Sequence, residues 1–233
     1  MLFFYIRHGD PIYDPDSLTR LGERQADALA KRLALYGIDK IYSSTSNRAM
    51  LTAKPTCELT NKEMTLLDFT NEKYCAEDFF VNGHWAFQDI EIKRQFADRD
   101  VLNLQDKWYE HPFFKDRNFK KGIERVCDES DNFFKTLGYE HVRNTGTYKV
   151  VEPNNERVAL FAHGGFGIAF LSCMLDIPYP MFSTHFDFSP STMTVIEFKE
   201  EDGYATPKIL TLSSDSHLYR EGLPTKYNNE IYF

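Results

Sequence analysis

No stretch of this 233-residue sequence approaches the roughly 18 to 20 consecutive apolar residues that a bilayer-crossing helix needs. The densest runs are the short segments Leu2 to Ile6 and Val158 to Ala162, so no membrane partner is expected. No secretory leader is expected either: it would place a basic segment before the apolar one, whereas here the apolar run begins at Leu2 and enters Arg7-His8 directly. The fold is therefore expected to start at residue 1. Cysteine is scarce and scattered (Cys57, Cys75, Cys127, Cys173), with no CxxC pair, which argues against a disulfide framework and a structural zinc site and favours a reducing cytoplasm. Positive charge is also in deficit. Lys+Arg 27 against Asp+Glu 35 leaves a net charge of −8, and a protein that grips phosphate backbones needs the opposite balance, so no nucleic-acid partner is expected. Three catalytic layouts are absent too: a cysteine followed by five residues and an arginine, a G-x-x-x-x-G-K-[ST] loop and a G-x-S-x-G elbow. Neither repeats nor low-complexity tracts occur.

What is present is core material. Hydrophobic residues make up 42% of the chain, including 20 Phe and 13 Tyr, which excludes global disorder. Leu2 to Ile6 has the character of a buried strand. From Thr19 the apolar positions Leu21, Ala28, Leu29, Leu33 and Tyr36 follow the helical period, with Thr19 placed to cap the start and Gly37 the end. Ile38 to Tyr42 predicts a second strand and Asn47 to Leu59 a second helix, preceded by a run of serines and a threonine that supplies caps. Between about 71 and 148 the sequence turns charged and aromatic, with helices expected around Ile90 to Arg99, Asn103 to Tyr109 and Ile123 to Leu137. Val158 to Ala162, followed by an apolar helix from Phe166 to Leu175, repeats the opening unit. Ser191 to Phe198 and Ile209 to Leu212 complete the strands, and Asp215 to Phe233 is expected to lie over the surface as a tail. This alternation predicts an α/β fold, a three-layer αβα sandwich with a mostly parallel central sheet. Residues 1–233 form a single domain in this reading, with a helical insertion, or cap, at about 71–148.

In such sheets ligands bind beyond the carboxyl ends of the strands. Two predicted strands end there in a His-Gly step, Arg7-His8-Gly9 and Ala162-His163-Gly164. A lone histidine at a strand end is usually structural; two in equivalent places call for a joint explanation. Arg7 adds to it, because a guanidinium at the end of a buried strand is costly to desolvate unless an anion sits against it. Arg48 opens the second helix, where backbone N–H groups favour anions. Together these residues predict a phosphate site. The plainer alternative pairs Arg7 with Asp10 or Asp16 and leaves Arg48 facing solvent.

Arg7-His8-Gly9, the segment Leu18-Thr19-x-x-Gly22-x-x-Gln25-Ala26, Ser43-Ser44 with Arg48-Ala49 and Thr52-Ala53, and Ala162-His163-Gly164-Gly165 occur in order and in register. In these motifs the chain resembles the histidine phosphatase superfamily, also called phosphoglycerate-mutase-like. The resemblance covers the core and not the insertion. It implies that His8 is a nucleophile that takes the phosphoryl group, and that Arg7, Arg48, His163 and Gly164 bind its oxygens, with no metal and no cofactor. It also implies a proton donor at the start of the insertion, for which Asp68, Glu72, Glu77 and Asp78 are candidates. Asn71-Glu72-Lys73 is most similar to the family's Asn-Glu-Arg step, so Glu72 is expected in that role with Glu77 in reserve. The expected activity is metal-independent hydrolysis of a small phosphorylated substrate through a phosphohistidine. Phosphoglycerate mutase-type transfer and a noncatalytic phosphate-binding module are the alternatives, and substrate and oligomeric state are open at this stage. The acidic Glu77-Asp78 context after Glu72 disfavours the mutase. His84, His111, His141, His185 and His217 lack zinc spacing and are expected at the surface or core edge. Tyr13, Phe79, Phe80 and Trp85 are either cleft-lining or packing residues. Asp14-Pro15-Asp16 is similar to an aspartate-nucleophile motif but lacks the apolar strand that should precede it.

Overall fold

The computed structural model describes residues 1–227; the end of the expected tail, 228–233, lies outside the described residues. Strand β1 (Leu2–Arg7) is covered on both faces, with Phe3 and Tyr5 in one apolar cluster and Phe4 and Ile6 in another. That is the outcome of a period of two between two helix layers. A hairpin of β2 (Pro11–Tyr13) and β3 (Asp16–Leu18) leads into α1 (Arg20–Tyr36). Thr19 caps this helix by accepting from Gly22 N–H, and Gly37 ends it at φ 66°, a left-handed conformation that suits glycine. β4 (Lys40–Ser44), α2 (Asn47–Thr60) and β5 (Met64–Leu67) continue the alternation.

The segment that follows contains α3 (Glu72–Phe79), the hairpin β6 (Phe80–Val81) and β7 (His84–Trp85), then α4 (Ile90–Phe96) and α5 (Arg99–Leu102). Two 3-10 turns, 105–110 and 112–114, precede α6 (Phe119–Thr136), and β8 (Tyr139–Val142) and β9 (Thr147–Val150) follow it. The chain then returns through β10 (Arg157–Ala162), α7 (Gly164–Leu175), α8 (Tyr179–His185) and β11 (Met193–Glu197). It closes with β12 (Glu200–Glu201), β13 (Tyr204–Ala205), β14 (Lys208–Ser214) and α9 (Ser216–Arg220).

The central sheet has six strands in the order β14-β11-β1-β10-β4-β5. β1, β10, β4 and β5 are parallel, β11 pairs antiparallel with β1 and β14 antiparallel with β11, so of the six strands β11 alone runs against the others. Leu29, Leu33 and Ala53 from α1 and α2 pack on one face, and Phe134 and Phe170 from α6 and α7 on the other. The three-layer αβα architecture expected from the sequence is the one observed. Among the described residues no helix is long and apolar enough to cross a membrane.

The abundant aromatics build the segment after β5. Phe79 stacks on Tyr179 of α8 at 4.8 Å, Trp108 stacks on the same ring at 5.6 Å, and Phe96, Phe114 and Phe119 close around them. This cluster is continuous with the apolar side of the sheet that holds Phe3 and Tyr5. Two local expectations change. The helix expected over Ile90 to Arg99 breaks into α4 and α5, because Asp98 accepts from Asp100 N–H and starts a new helix. β8 and β9 join β13 and β12 in a small antiparallel sheet whose partners are far apart in sequence. The cysteine expectation is corrected as well: Cys127 on α6 and Cys173 on α7 are joined in a disulfide, leaving Cys57 and Cys75 free. Forty-six residues separate the bonded pair, so helix packing rather than sequence spacing brings them together. The expectation of a reducing compartment, which rested on unpaired cysteines, loses that support.

Candidate active site

Parallel pairing decides which residues meet at the strand ends. Arg7 on β1 is in register with Ala162 on β10, so the residues that follow, His8 and His163, emerge side by side with ring centroids 5.3 Å apart. On the other edge of β10, Phe161 pairs with Ser43, which carries Ser44 to His163: its Oγ lies 2.8 Å from His163 Nε2. Both imidazoles are buried.

The hydrogen bonds assign their tautomers. His8 Nδ1 lies 2.7 Å from the Gly9 carbonyl, which can only accept, so Nδ1 carries the hydrogen and Nε2 keeps its lone pair. Ser44 Oγ and Ser46 Oγ lie 2.8 and 3.3 Å from His163 Nε2 and can donate or accept, whereas Nδ1 faces the Glu72 carboxylate, which can only accept. His163 Nδ1 is then the N–H donor. It has no hydrogen-bond partner and lies 3.6 Å from Glu72 Oε2. Burial pushes the His8 pKa down to about 3, aided by the charges of Arg7 and Arg48 and opposed by the Gly9 carbonyl. His163 is held well below the ordinary histidine range by burial, then by His8, Arg48 and Arg7. Neither ring is charged near neutral pH.

The arginines and the carboxylate surround this pair. Arg7 Nη1 donates to the Phe188 carbonyl, and its guanidinium lies so close to the first turn of α7 that a Cβ on Gly164 would stand 3.2 Å from Cζ. Arg48 Nη1 donates to Asp16 Oδ1 at 2.8 Å and Nη2 to Glu72 Oε2 at 3.0 Å. The other oxygen of Glu72 accepts from Gly165 N–H at 2.9 Å. Glu72 is the first residue of α3, whose cap Asn71 accepts from Lys73 N–H. Arg7 Nε, Arg48 Nε and His163 Nδ1 are buried donors without a partner, a set that suits an acceptor-rich anion.

The remaining motif residues hold the backbone in place. Gly9 and Gly22 pack backbone to backbone: a Cβ on Gly22 would lie 2.3 Å from Asp10 O, and one on Gly9 2.8 Å from Gly22 O. Gln25 Oε1 accepts from Asp10 N–H, and Thr52 Oγ1 accepts from Gly9 N–H while donating to Arg48 O. Residues of α1 and α2 thus fix the loop that carries His8.

Arg7, His8, Arg48, Glu72, His163 and Gly164, all expected at the site from the sequence, come together here. The other candidate acids do not. Asp68 bonds Thr45 and Tyr74, Asp78 is buried against Lys121 and Arg125, and Glu77 is exposed on α3. Asp16 turns to Arg48 and not to Arg7, and its second oxygen accepts from Asn47 N–H at the start of α2, where Ser46 makes no side-chain cap. Ser44 and Gly165 lie within the sequence motifs and Asp16 was a possible partner for Arg7, but their contacts to His163, Glu72 and Arg48, and that of the Phe188 carbonyl to Arg7, were not anticipated. His8, Glu72 and His163 each offer a ligand atom within 4.8 Å of the others, a spacing that could hold a cation. Two guanidiniums act on the same rings, one of them bonded to Glu72, and their charge opposes a cation there.

Residues 4–126, more than half of the chain, match the histidine phosphatase superfamily, branch 1. The chain belongs to this superfamily. Solved structures agree on the fold of this histidine phosphatase superfamily member. A phosphoserine phosphatase from Entamoeba histolytica, in complex with phosphoserine, is 19% identical with a TM-score of 0.61, covering 93% of this chain and 98% of that one. A mycobacterial glucosyl-3-phosphoglycerate phosphatase in complex with VO3 is 16% identical with a TM-score of 0.60, covering 91% and 98%. The α-ribazole phosphatase from Shigella flexneri is 16% identical with a TM-score of 0.59, covering 92% and 97%. No curated protein matches the chain in sequence.

Proposed function

We propose that this protein is a metal-independent phosphomonoester hydrolase working through a phosphohistidine on His8. The observation that carries this reading is a buried, neutral His8 with Nδ1–H on the Gly9 carbonyl and its Nε2 lone pair free, next to three unpartnered buried donors. The substrate binds as its monoanion and passes the phosphate proton to the Glu72 carboxylate. Nε2 forms the bond to phosphorus as the ester P–O bond breaks, and the departing electron pair goes to the alcohol oxygen, which takes that proton from Glu72. Water then attacks the phosphohistidine, Glu72 accepts its proton, and phosphate and neutral His8 are released. Arg7, Arg48 and the His163 Nδ1–H stabilise the charge that spreads over the phosphoryl oxygens, and the Gly164 end of α7 adds its N-terminal dipole. Phosphate also competes for Arg48 with Asp16 and Glu72. Superfamily membership and the phosphatase activities named for the structural relatives support the same reading. Residues 1–233 are read as one domain in which the 71–148 insertion supplies the acid and roofs the site.

Acid-quenched enzyme mixed with labelled substrate should carry an acid-labile, base-stable phosphoryl group on His8, and His8→Ala should lose it. An adduct on serine, aspartate or cysteine overturns the mechanism. Loss of all activity on chelation points to a metallophosphatase, and isomerised substrate without free phosphate points to the mutase alternative.

A further inference from the structure

If Glu72 protonates the leaving oxygen, the leaving group itself must stand beside Glu72, so the surroundings of that carboxylate decide which alcohols fit. Arg48 holds one oxygen and Gly165 N–H the other. Beyond each of these partners stands an aromatic ring. The Arg48 guanidinium lies over Tyr13, 5.5 Å from its centroid. Trp85 is packed onto Gly165 so closely that a Cβ there would meet its Cη2 and Cζ2 at 2.4 Å.

These rings differ from the aromatics that build the core. Tyr13 is 67% exposed and Phe80 46%, with Trp85 half-buried between Phe80 and Phe87. Phe80 and Trp85 are directly opposed across the β6–β7 hairpin, 4.7 Å apart and edge to face. The turn between them, Asn82-Gly83, has both φ values positive (53° and 81°), the tight geometry that keeps a two-residue hairpin in register. The hairpin is tied down by Ala86 N–H on Phe79 O and by Asn82 Nδ2 on Asp89. The hairpin therefore holds Trp85 against Gly165, whose N–H binds Glu72, with the exposed Phe80 edge to face on it. Arg7 is bonded to a carbonyl, Arg48 to two carboxylates and Lys226 to Asp10, while Lys73, next to Glu72 in sequence, lies over the Tyr74 ring.

Resting on the hydrolase reading above, we propose that the substrate is a phosphomonoester of an aromatic alcohol, its ring received by Trp85 and Phe80 on one side of Glu72 and by Tyr13 on the other. The test is binding, so that it does not depend on turnover. Calorimetric titration with benzylphosphonate, methylphosphonate and inorganic phosphate should show the wild type preferring benzylphosphonate to methylphosphonate by about 10-fold or more. Trp85→Ala, Phe80→Ala and Tyr13→Ala should each reduce that preference by about 2- to 10-fold, the range of one aromatic contact, with Trp85→Phe retaining most of it. Should Trp85→Ala fail to fold, Tyr13→Ala and Phe80→Ala, at exposed rings, decide the matter. Equal affinity for the two phosphonates in the wild type, or a preference unmoved by these variants, overturns the proposal while leaving the hydrolase reading intact. Failure to bind phosphate as well as both phosphonates overturns the two together.

Discussion

At the start of α7, His163 and its neighbour His8 are buried among guanidiniums; at its end, His141 is buried between two carboxylates. His141 Nδ1 lies 2.8 Å from Asp131 of α6, and Nε2 3.1 Å from Asp176, the residue that closes α7. Burial pushes the His141 pKa down, yet the hydrogen bonds and charges of both aspartates outweigh it and raise the pKa to about 9. At His8, burial and its positive neighbours act in the same direction and leave the ring neutral. Desolvation has the same sign at both ends, so it is the charge of the partners that separates them. The charged ring ties α6, β8 and α7 together and stacks on Tyr148, whereas a neutral ring with a free lone pair is what a nucleophile requires.

The comparison is broken most strongly at the catalytic end. Glu72→Gln should lower turnover on alkyl phosphates by roughly 10² to 10⁴-fold, the range of a positioned general acid, and far less on p-nitrophenyl phosphate, whose phenolate leaves without a proton. Glu77→Gln, on the exposed side of α3, should change neither rate by more than about twofold. Equal losses on the two substrates with Glu72→Gln would remove it from the donor role.

At the other end, His141→Gln should destabilise the protein by roughly 1–3 kcal/mol, as expected when a buried hydrogen-bonded network is broken. The pH dependence carries the sharper signature. Because the folded pKa, about 9, exceeds the ordinary 6.5, the stabilisation from His141 is complete below about pH 6.5 and is lost as pH rises through 9. Thermal melts from pH 6 to 10 should show that decline in the wild type and a flatter profile in the variant.

The smallest effect tests the neutral rings from the acid side. His8 is held to about 3 and His217, buried on α9 against Ser191, to about 4. The unfolded chain takes up protons below 6.5 where these folded rings do not, so stability falls as pH drops from 6.5 toward 3. His8→Asn should reduce that slope by up to one proton relative to wild type, measured from chemical-denaturation midpoints. An unchanged slope would mean that His8 is charged in the folded state.

How much of the site the sequence disclosed follows from the range of the forces involved. Strand ends with His-Gly steps, the helix cap at Thr19 and the left-handed end at Gly37 are local events, and the structure has them where the pattern placed them. Glu72 was legible by motif as a candidate, but its separation from Glu77 and Asp78 came from helix geometry. α3 turns Asp78 onto Arg125 and Lys121 and leaves Glu72 at its first turn, facing Arg48. His141 gave no sign of its charge, since its two partners come from positions 10 and 35 residues away. The Cys127–Cys173 bond escaped for the same reason.

Residue chemistry and local periodicity were enough to predict two strand-end histidines with Arg7 and Arg48 beside them and an alternating α/β order, because each depends on neighbours within a few residues or on a strand's own end. The candidate nucleophile role of His8 came from the family resemblance. Tertiary structure decided which acid faces the paired histidines, which carboxylate engages Arg48, which histidine is charged and which aromatics stay outside the core. Those outcomes depend on distances and burial between segments far apart in the chain. Only packing sets these, through the register of β1 against β10 and the placement of α3, α6 and α7 over the sheet.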